Sequence, residues 1–153
     1  MSLSTFFKKK DFFTEEENSN ILEAIRNAEI NTSGEVRVYI ESKNPLVDPL
    51  ERAAEVFKKL KMENTHQRNG VLLYLATHHK EVALFGDEGI YKSLGKDYWN
   101  NEVSQMLGLF KANKLSDGIV LCINHIGKSL SEKFPYISSE DKNELPDEIV
   151  FGK

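Results

Sequence analysis

The chain has one cysteine, four prolines and one tryptophan in 153 residues, and the scarcities exclude several functions. Cys122 cannot close an internal disulfide, and it offers no thiolate cluster for zinc. No apolar run approaches the roughly 20 residues that cross a bilayer. The N-terminal "MSLSTFFKKKDFF" sets its lysines after its aromatics and lacks the apolar core and small-residue cleavage site of a signal peptide. A P-loop, a dinucleotide glycine fingerprint and a Gly-x-Ser-x-Gly elbow are all missing. Positive charge is in deficit: 20 Lys and Arg against 24 Asp and Glu leave a net charge of −4. That balance disfavours general attraction to nucleic acid or an anionic membrane. The expectation is a cytoplasmic protein with no nucleic-acid partner and no stable membrane anchor.

What is present describes one globular domain. Hydrophobic residues make up 40% and charged residues 29%, enough for a core over this length and too little chain for two domains. "TEEENSNILEAIRNAEINTSG" starts a helix, with Thr14 and Glu17 spaced as a capping box. "GEVRVYIES" alternates Val36, Val38 and Ile40 against Glu35, Arg37 and Tyr39, as a strand with unequal faces does. In "NPLVDPLERAAEVFKKLKM", Asp48 caps a helix with Pro49 at its first position, and Leu50, Ala53, Ala54, Phe57 and Leu60 form the expected buried stripe.

"GVLLYLAT" is nearly all apolar, the mark of a strand covered on both faces. "EVALFG" follows as a third strand, so a hairpin runs from about Gly70 to Gly86. A short helix over "EGIYKSLG", a longer one over "KDYWNNEVSQMLGLFKANK" and a last one over "LSDGIVLCINHIGKSLSEKF" complete the pattern. Residues 1–134 are expected to form the domain, and the acidic, proline-containing residues 135–153 an extended or disordered tail.

The candidate chemistry is acidic. In "VALFGDEGIYKSLG", Asp87 and Glu88 lie between Gly86 and Gly89 where a strand ends. With the first two strands parallel and the third returning, the start of the first and the end of the third share one edge. That brings Glu35, Asp87 and Glu88 toward one rim, with Arg68 and Asn69 lining a possible cleft beside them. Asp117, near the start of the last helix, is a fourth candidate. Hard cations such as Ca²⁺ take oxygen ligands of this kind. The alternative is structural: Asp87 and Asp117 cap helices, and Glu35 is a solvated strand edge. Cys122 reads as a buried, inert thiol. Adjacent His78 and His79 read as a solvated turn, His66 and His125 show no partner, and Tyr98 and Trp99 read as core anchors.

The order "TSGEVRVYI", "RNGVLLYLATHHKEVALFGDEGI", "GLFKANKLSDGIVLCINHIGKSL" resembles the TPM domain over about Thr14 to Phe134. That family occurs in thylakoid-lumen photosystem-repair proteins and in many bacterial proteins. The resemblance implies an α/β/α sandwich around a mixed sheet of about four strands. It also implies a divalent cation, calcium first, held by Glu35, Asp87, Glu88 and Asp117, and some members are described as acid phosphatases. Many relatives carry a secretion signal or trailing anchor, and the expectation for this chain is neither. Its "ANKLSDG" lacks the usual glycine-rich, aromatic lead-in to the last helix.

Three functions compete. The first is a cation-binding module with an interaction or maintenance role. The second is a metal-dependent phosphatase acting on phosphomonoesters, with Arg68 or Lys92 neutralising phosphoryl oxygens. The third is a domain that binds another protein through an apolar patch near Tyr98 and Trp99.

Overall fold

Two reciprocal hydrogen bonds start the first helix: Glu17 N donates to Thr14 Oγ1 at 3.0 Å, and Thr14 N donates to Glu17 Oε1 at 2.9 Å. The capping box read from the sequence is therefore formed. The structure is a computed structural model and describes residues 12–46, 48–136 and 149–152.

Within them lie α1 (Glu15–Glu29), β1 (Glu35–Glu41), α2 (Pro49–Lys59), β2 (Gly70–Ala76), β3 (Glu81–Gly86), α3 (Glu88–Leu94), α4 (Lys96–Lys111), α5 (Leu115–Lys133) and β4 (Ile149–Phe151). The sheet order is β3-β2-β1-β4; β1 is parallel to β2 and β4, and β2 is antiparallel to β3. The fold is a mixed four-stranded α/β/α sandwich.

The period-two pattern divides the core. Val36, Val38, Ile40, Val71, Leu73, Leu75, Val82 and Leu84 meet α1, α4 and α5 on one face. Tyr39, Leu72, Tyr74 and Ala83 meet Ala53, Val56 and Phe57 of α2 on the other. The polar side of β1 is not solvated, because Glu35, Arg37 and Glu41 are all buried on this second face.

Two expectations are corrected here. The buried face of α2 is Arg52, Ala53, Val56 and Phe57, rotated from the stripe read in the sequence, and Leu50 is 49% exposed. The rotation follows from an ion pair: the Arg52 guanidinium reaches both carboxylate oxygens of Glu41, at 2.8 and 2.9 Å, and draws its helix face inward. The last residues do not all form an extended tail. β4 pairs Ile149 with Val38 and Phe151 with Ile40, covering the free edge of β1 with a β-branched, aromatic triplet. Residues 137–148 and the N-terminal "FFKKKD" lie outside the described residues.

Candidate functional site

The rim forms where the topology turns. Glu35 pairs with Gly70 and Val71 with Gly86, so β1 and β2 begin where β3 ends. Glu35, at the start of β1, and Asp87 and Glu88, just after the end of β3, therefore lie at one edge of the sheet.

Asp87 follows β3 directly, and its backbone N–H still donates to Gly70 O at 2.9 Å. Its carboxylate then caps α3, accepting from Glu88 N at 2.8 Å. The same carboxylate receives a fork from Arg68, Nε at 2.7 Å and Nη2 at 2.9 Å, while Arg68 Nη1 reaches Glu88 at 3.3 Å. Hydrogen bonding to Asp87 raises the pKa of Arg68 above its ordinary value. The partners differ in access: the Asp87 side chain is 5% exposed, whereas Arg68 is 44% exposed and Glu88 59%. Arg68 is thus an exposed cation resting on a buried carboxylate.

Arg68 is placed by its loop. Its φ of 51° is left-handed, and its carbonyl accepts from Gly89 N at 2.9 Å. A Cβ on Gly89 would lie 2.2 Å from Gln67 O and 2.7 Å from Arg68 O, so only glycine lets the loop and the α3 start approach this closely. Asn69 is 1% exposed; its Nδ2 donates to Ser33 Oγ at 3.1 Å, and its Oδ1 meets no hydrogen-bond donor among the described residues. A buried carboxamide oxygen left unpaired carries a free-energy cost.

The four acidic candidates do not form one cluster. Glu35 is buried in β1 at the same edge, on the α2 side of the sheet. Asp117 is at the far end of the molecule. α1 and α5 run side by side in the same direction: Ser116 Oγ donates to Glu17 at 2.9 Å near their starts, and Thr32 Oγ1 donates to Leu130 O at 3.1 Å near their ends. The rim follows Thr32, so Asp117 lies about 20 Å of helix away from that end. Asp117 sits in the first turn of α5, whose N-cap position is held by Lys114 with no side-chain capping bond, and lines a shallow cleft with Asn20, Glu23 and Asn27. Among the described residues, no group of three or more His, Cys, Asp or Glu side chains converges as a metal site. Lys92 is exposed on α3 and faces the groove along β3.

Three arrangements were not anticipated. Glu41 accepts from Arg52 and also from the Tyr74 hydroxyl, forming a buried network beneath α2. His125 is not partnerless, since its Nδ1 lies 3.0 Å from Glu102 on α4. Cys122 is buried beside the same Glu102; burial first, then that neighbouring carboxylate, pushes the thiol pKa well above its ordinary range. The charges alternating along "EVRVYIE" were the available signal for the first network. The helix spacing of Cys122 and His125 pointed to no partner, because Glu102 comes from another helix.

His78 and His79 are exposed in the β2–β3 turn, and Trp99 is buried, stacked on Tyr91 with ring centroids 5.9 Å apart. No helix among the described residues is long and apolar enough to cross a membrane.

The family model of the TPM domain matches residues 7–129. The BA42 protein from the psychrophilic bacterium Bizionia argentinensis, solved by NMR, is 40% identical, with a TM-score of 0.83 over 92% of this chain and 96% of that one. The N-terminal domain of the cg2496 protein from Corynebacterium glutamicum is 13% identical, with a TM-score of 0.61 over 77% of this chain and 74% of that one. An N-terminal domain from P. gingivalis, also 13% identical, has a TM-score of 0.63 over 80% and 78%. These last two share the fold. No curated protein matches the chain.

Proposed function

The chain belongs to the TPM domain family, and from that premise we propose that it is a soluble, cytoplasmic binding module that takes a divalent cation, calcium first, at the Asp87–Glu88 rim and serves an interaction or maintenance role. The observation that carries this reading is the Asp87 carboxylate, 5% exposed and balanced by one guanidinium that is itself 44% exposed. A buried carboxylate keeps a counter-charge. Here the counter-charge sits on a long, rotatable arm that can leave.

The donor set suits a hard ion. Asp87 and Glu88 supply carboxylate oxygens, the unpaired Asn69 Oδ1 is a neutral oxygen at the same edge, and water completes the shell as calcium sites commonly allow. With two carboxylates and Arg68 competing, the site belongs to the weak class, with a dissociation constant of about 10⁻⁴–10⁻³ M. Asp117 is not in this set because it lies at the far end of α5, and Glu35 is not because it does not converge with Asp87 and Glu88 among the described residues. Binding rather than turnover is the reading because the rim pairs no nucleophile with a base among the described residues. The thiol of Cys122 is held protonated between α4 and α5.

Calorimetric titration with CaCl₂ tests the proposal on three proteins. The native chain is expected to bind one equivalent, Asp87→Asn to lose binding at least tenfold, and Arg68→Ala to bind more tightly because a competing cation is gone. Native binding unchanged in Asp87→Asn would overturn it.

A further inference from the structure

β3 is the outer strand of the sheet among the described residues, and half of its backbone faces away from β2. Asp87 N–H donates to Gly70 O, which places the alternating ladder bonds to β2 on Glu81, Ala83, Phe85 and Asp87. The N–H and C=O groups of Val82, Leu84 and Gly86 therefore point away from the sheet, and none of them meets a backbone partner among the described residues. Yet Val82 and Leu84 are only 6% and 4% exposed. The edge is recessed in a groove of about 670 Å³. One wall is the start of α2, at Pro49 and Leu50; the other is Tyr91, Trp99 and Val103 of α3 and α4.

An apolar strand edge without a partner strand is a template for another strand, and soluble proteins blunt such edges with charge, proline or a cover. β3 has no proline. We propose that this groove takes an extended peptide segment of a partner protein, which adds to the sheet as a fifth strand beside β3. Main-chain bonds to Val82, Leu84 and Gly86 would hold it, as in other strand-addition complexes. Side chains of the added strand alternate toward the two walls, and both walls are apolar, so the middle of the segment is apolar or β-branched.

Charge sets its ends. The groove is lined by Asp48, Asp87, Glu88 and Lys92; Arg68 already holds Asp87 and reaches Glu88, so the acids open to a ligand are Asp48 beside the start of α2 and the exposed Glu88 after the end of β3. A basic residue at each end complements this. A second copy of the chain fits less well, since its own α2 and α4 would stand on either side of its β3 and meet the walls. This inference does not depend on cation binding, and its test is run in EDTA so the two fail separately.

The probe is a synthetic peptide of alternating valine and threonine with a lysine at each end, titrated into ¹⁵N-labelled protein. The amides of Val82, Leu84 and Gly86 and the Trp99 indole N–H are expected to shift. Replacing both end lysines with glutamate is expected to weaken binding at least tenfold. Of two peptides N-methylated at alternate residues, one phase should lose binding and the other retain it. Val82→Pro removes one outward N–H at an edge position that tolerates proline, and Tyr91→Ala cuts back an exposed wall; each is expected to weaken binding at least fivefold. Failure of Val82→Pro to fold leaves the Tyr91→Ala result to decide. The proposal is overturned if both N-methylated peptides bind like the parent, if a folded variant binds undiminished, or if no amide along β3 shifts. It is also overturned if those amides shift on dilution of the free protein together with a dimer-to-monomer change in sedimentation.

Discussion

Arg52 and Arg68 make similar forked bonds to a carboxylate in two different surroundings. The Arg52–Glu41 pair has side chains 10% and 3% exposed, with the Tyr74 hydroxyl closing the network. Removing one member of a buried pair strands the other charge. Arg52→Ala is expected to destabilise the fold by about 3 kcal/mol or more in urea titration. Arg68 bridges to solvent, so Arg68→Ala should move the unfolding midpoint far less and change ligand binding instead; the reverse ranking would assign the two residues the wrong roles.

Cys122 gives a second check at this scale. Burial and the Glu102 carboxylate raise its pKa above the ordinary 9.0, so the folded state holds the proton more tightly than the unfolded chain. That contribution to stability is fully present below pH 9.0 and is lost as pH rises through the folded value. Iodoacetamide at pH 8 should label Cys122 slowly in the native protein and rapidly in urea. Fast native labelling would contradict its placement between α4 and α5.

At the scale of elements, the capping box of α1 is both a stability device and a pH device. The backbone N–H of Thr14, foremost, lowers the Glu17 pKa below its ordinary 4.5. The stabilisation is therefore present above pH 4.5 and lost as pH falls through the lower folded value. Thr14→Ala should cost about 1 kcal/mol by urea denaturation, whereas Glu17→Gln should remove the loss of stability seen as pH falls below 4.5.

Elements of this kind were legible because their signals are local: Thr14 and Glu17 stand three apart, and "GVLLYLA" needs no distant partner to read as a central strand. The rim was legible in part, since the topology of three strands places Glu35 and Asp87 at one edge. Asp117 was misplaced because the parallel packing of α1 and α5 is a tertiary fact. It shows in close approaches such as Gly127, where a Cβ would come within 2.7 Å of Ala28 Cβ. The rotation of α2 depends on Glu41, which lies on another element. β4 was missed because three residues carry too little pattern to outweigh the acidic stretch before them.

At the scale of the whole molecule, the sandwich puts its chemistry where cover is thinnest. Four helices, α1, α3, α4 and α5, pack on one face and α2 on the other, leaving the β1–β2–β3 end to loops and the outer edge of β3 to its groove. The Asp87–Arg68–Glu88 triad sits at the corner where these two features meet. Gly89→Ala should disturb that corner as a unit, because the added methyl pushes the Gln67 and Arg68 carbonyls off the start of α3. The expected result is cation binding weakened at least tenfold with the helical circular dichroism retained.

The most direct measurement of the central claim is an NMR titration of the native protein with calcium at constant ionic strength. If the rim exchanges its guanidinium for a metal, the amides of Asn69, Asp87, Glu88 and Gly89 and the Nε–H of Arg68 will shift along one saturable curve, with Asp117 unmoved. Saturable shifts clustered around Asp117 and Glu23, or no saturable change at the rim, would contradict it.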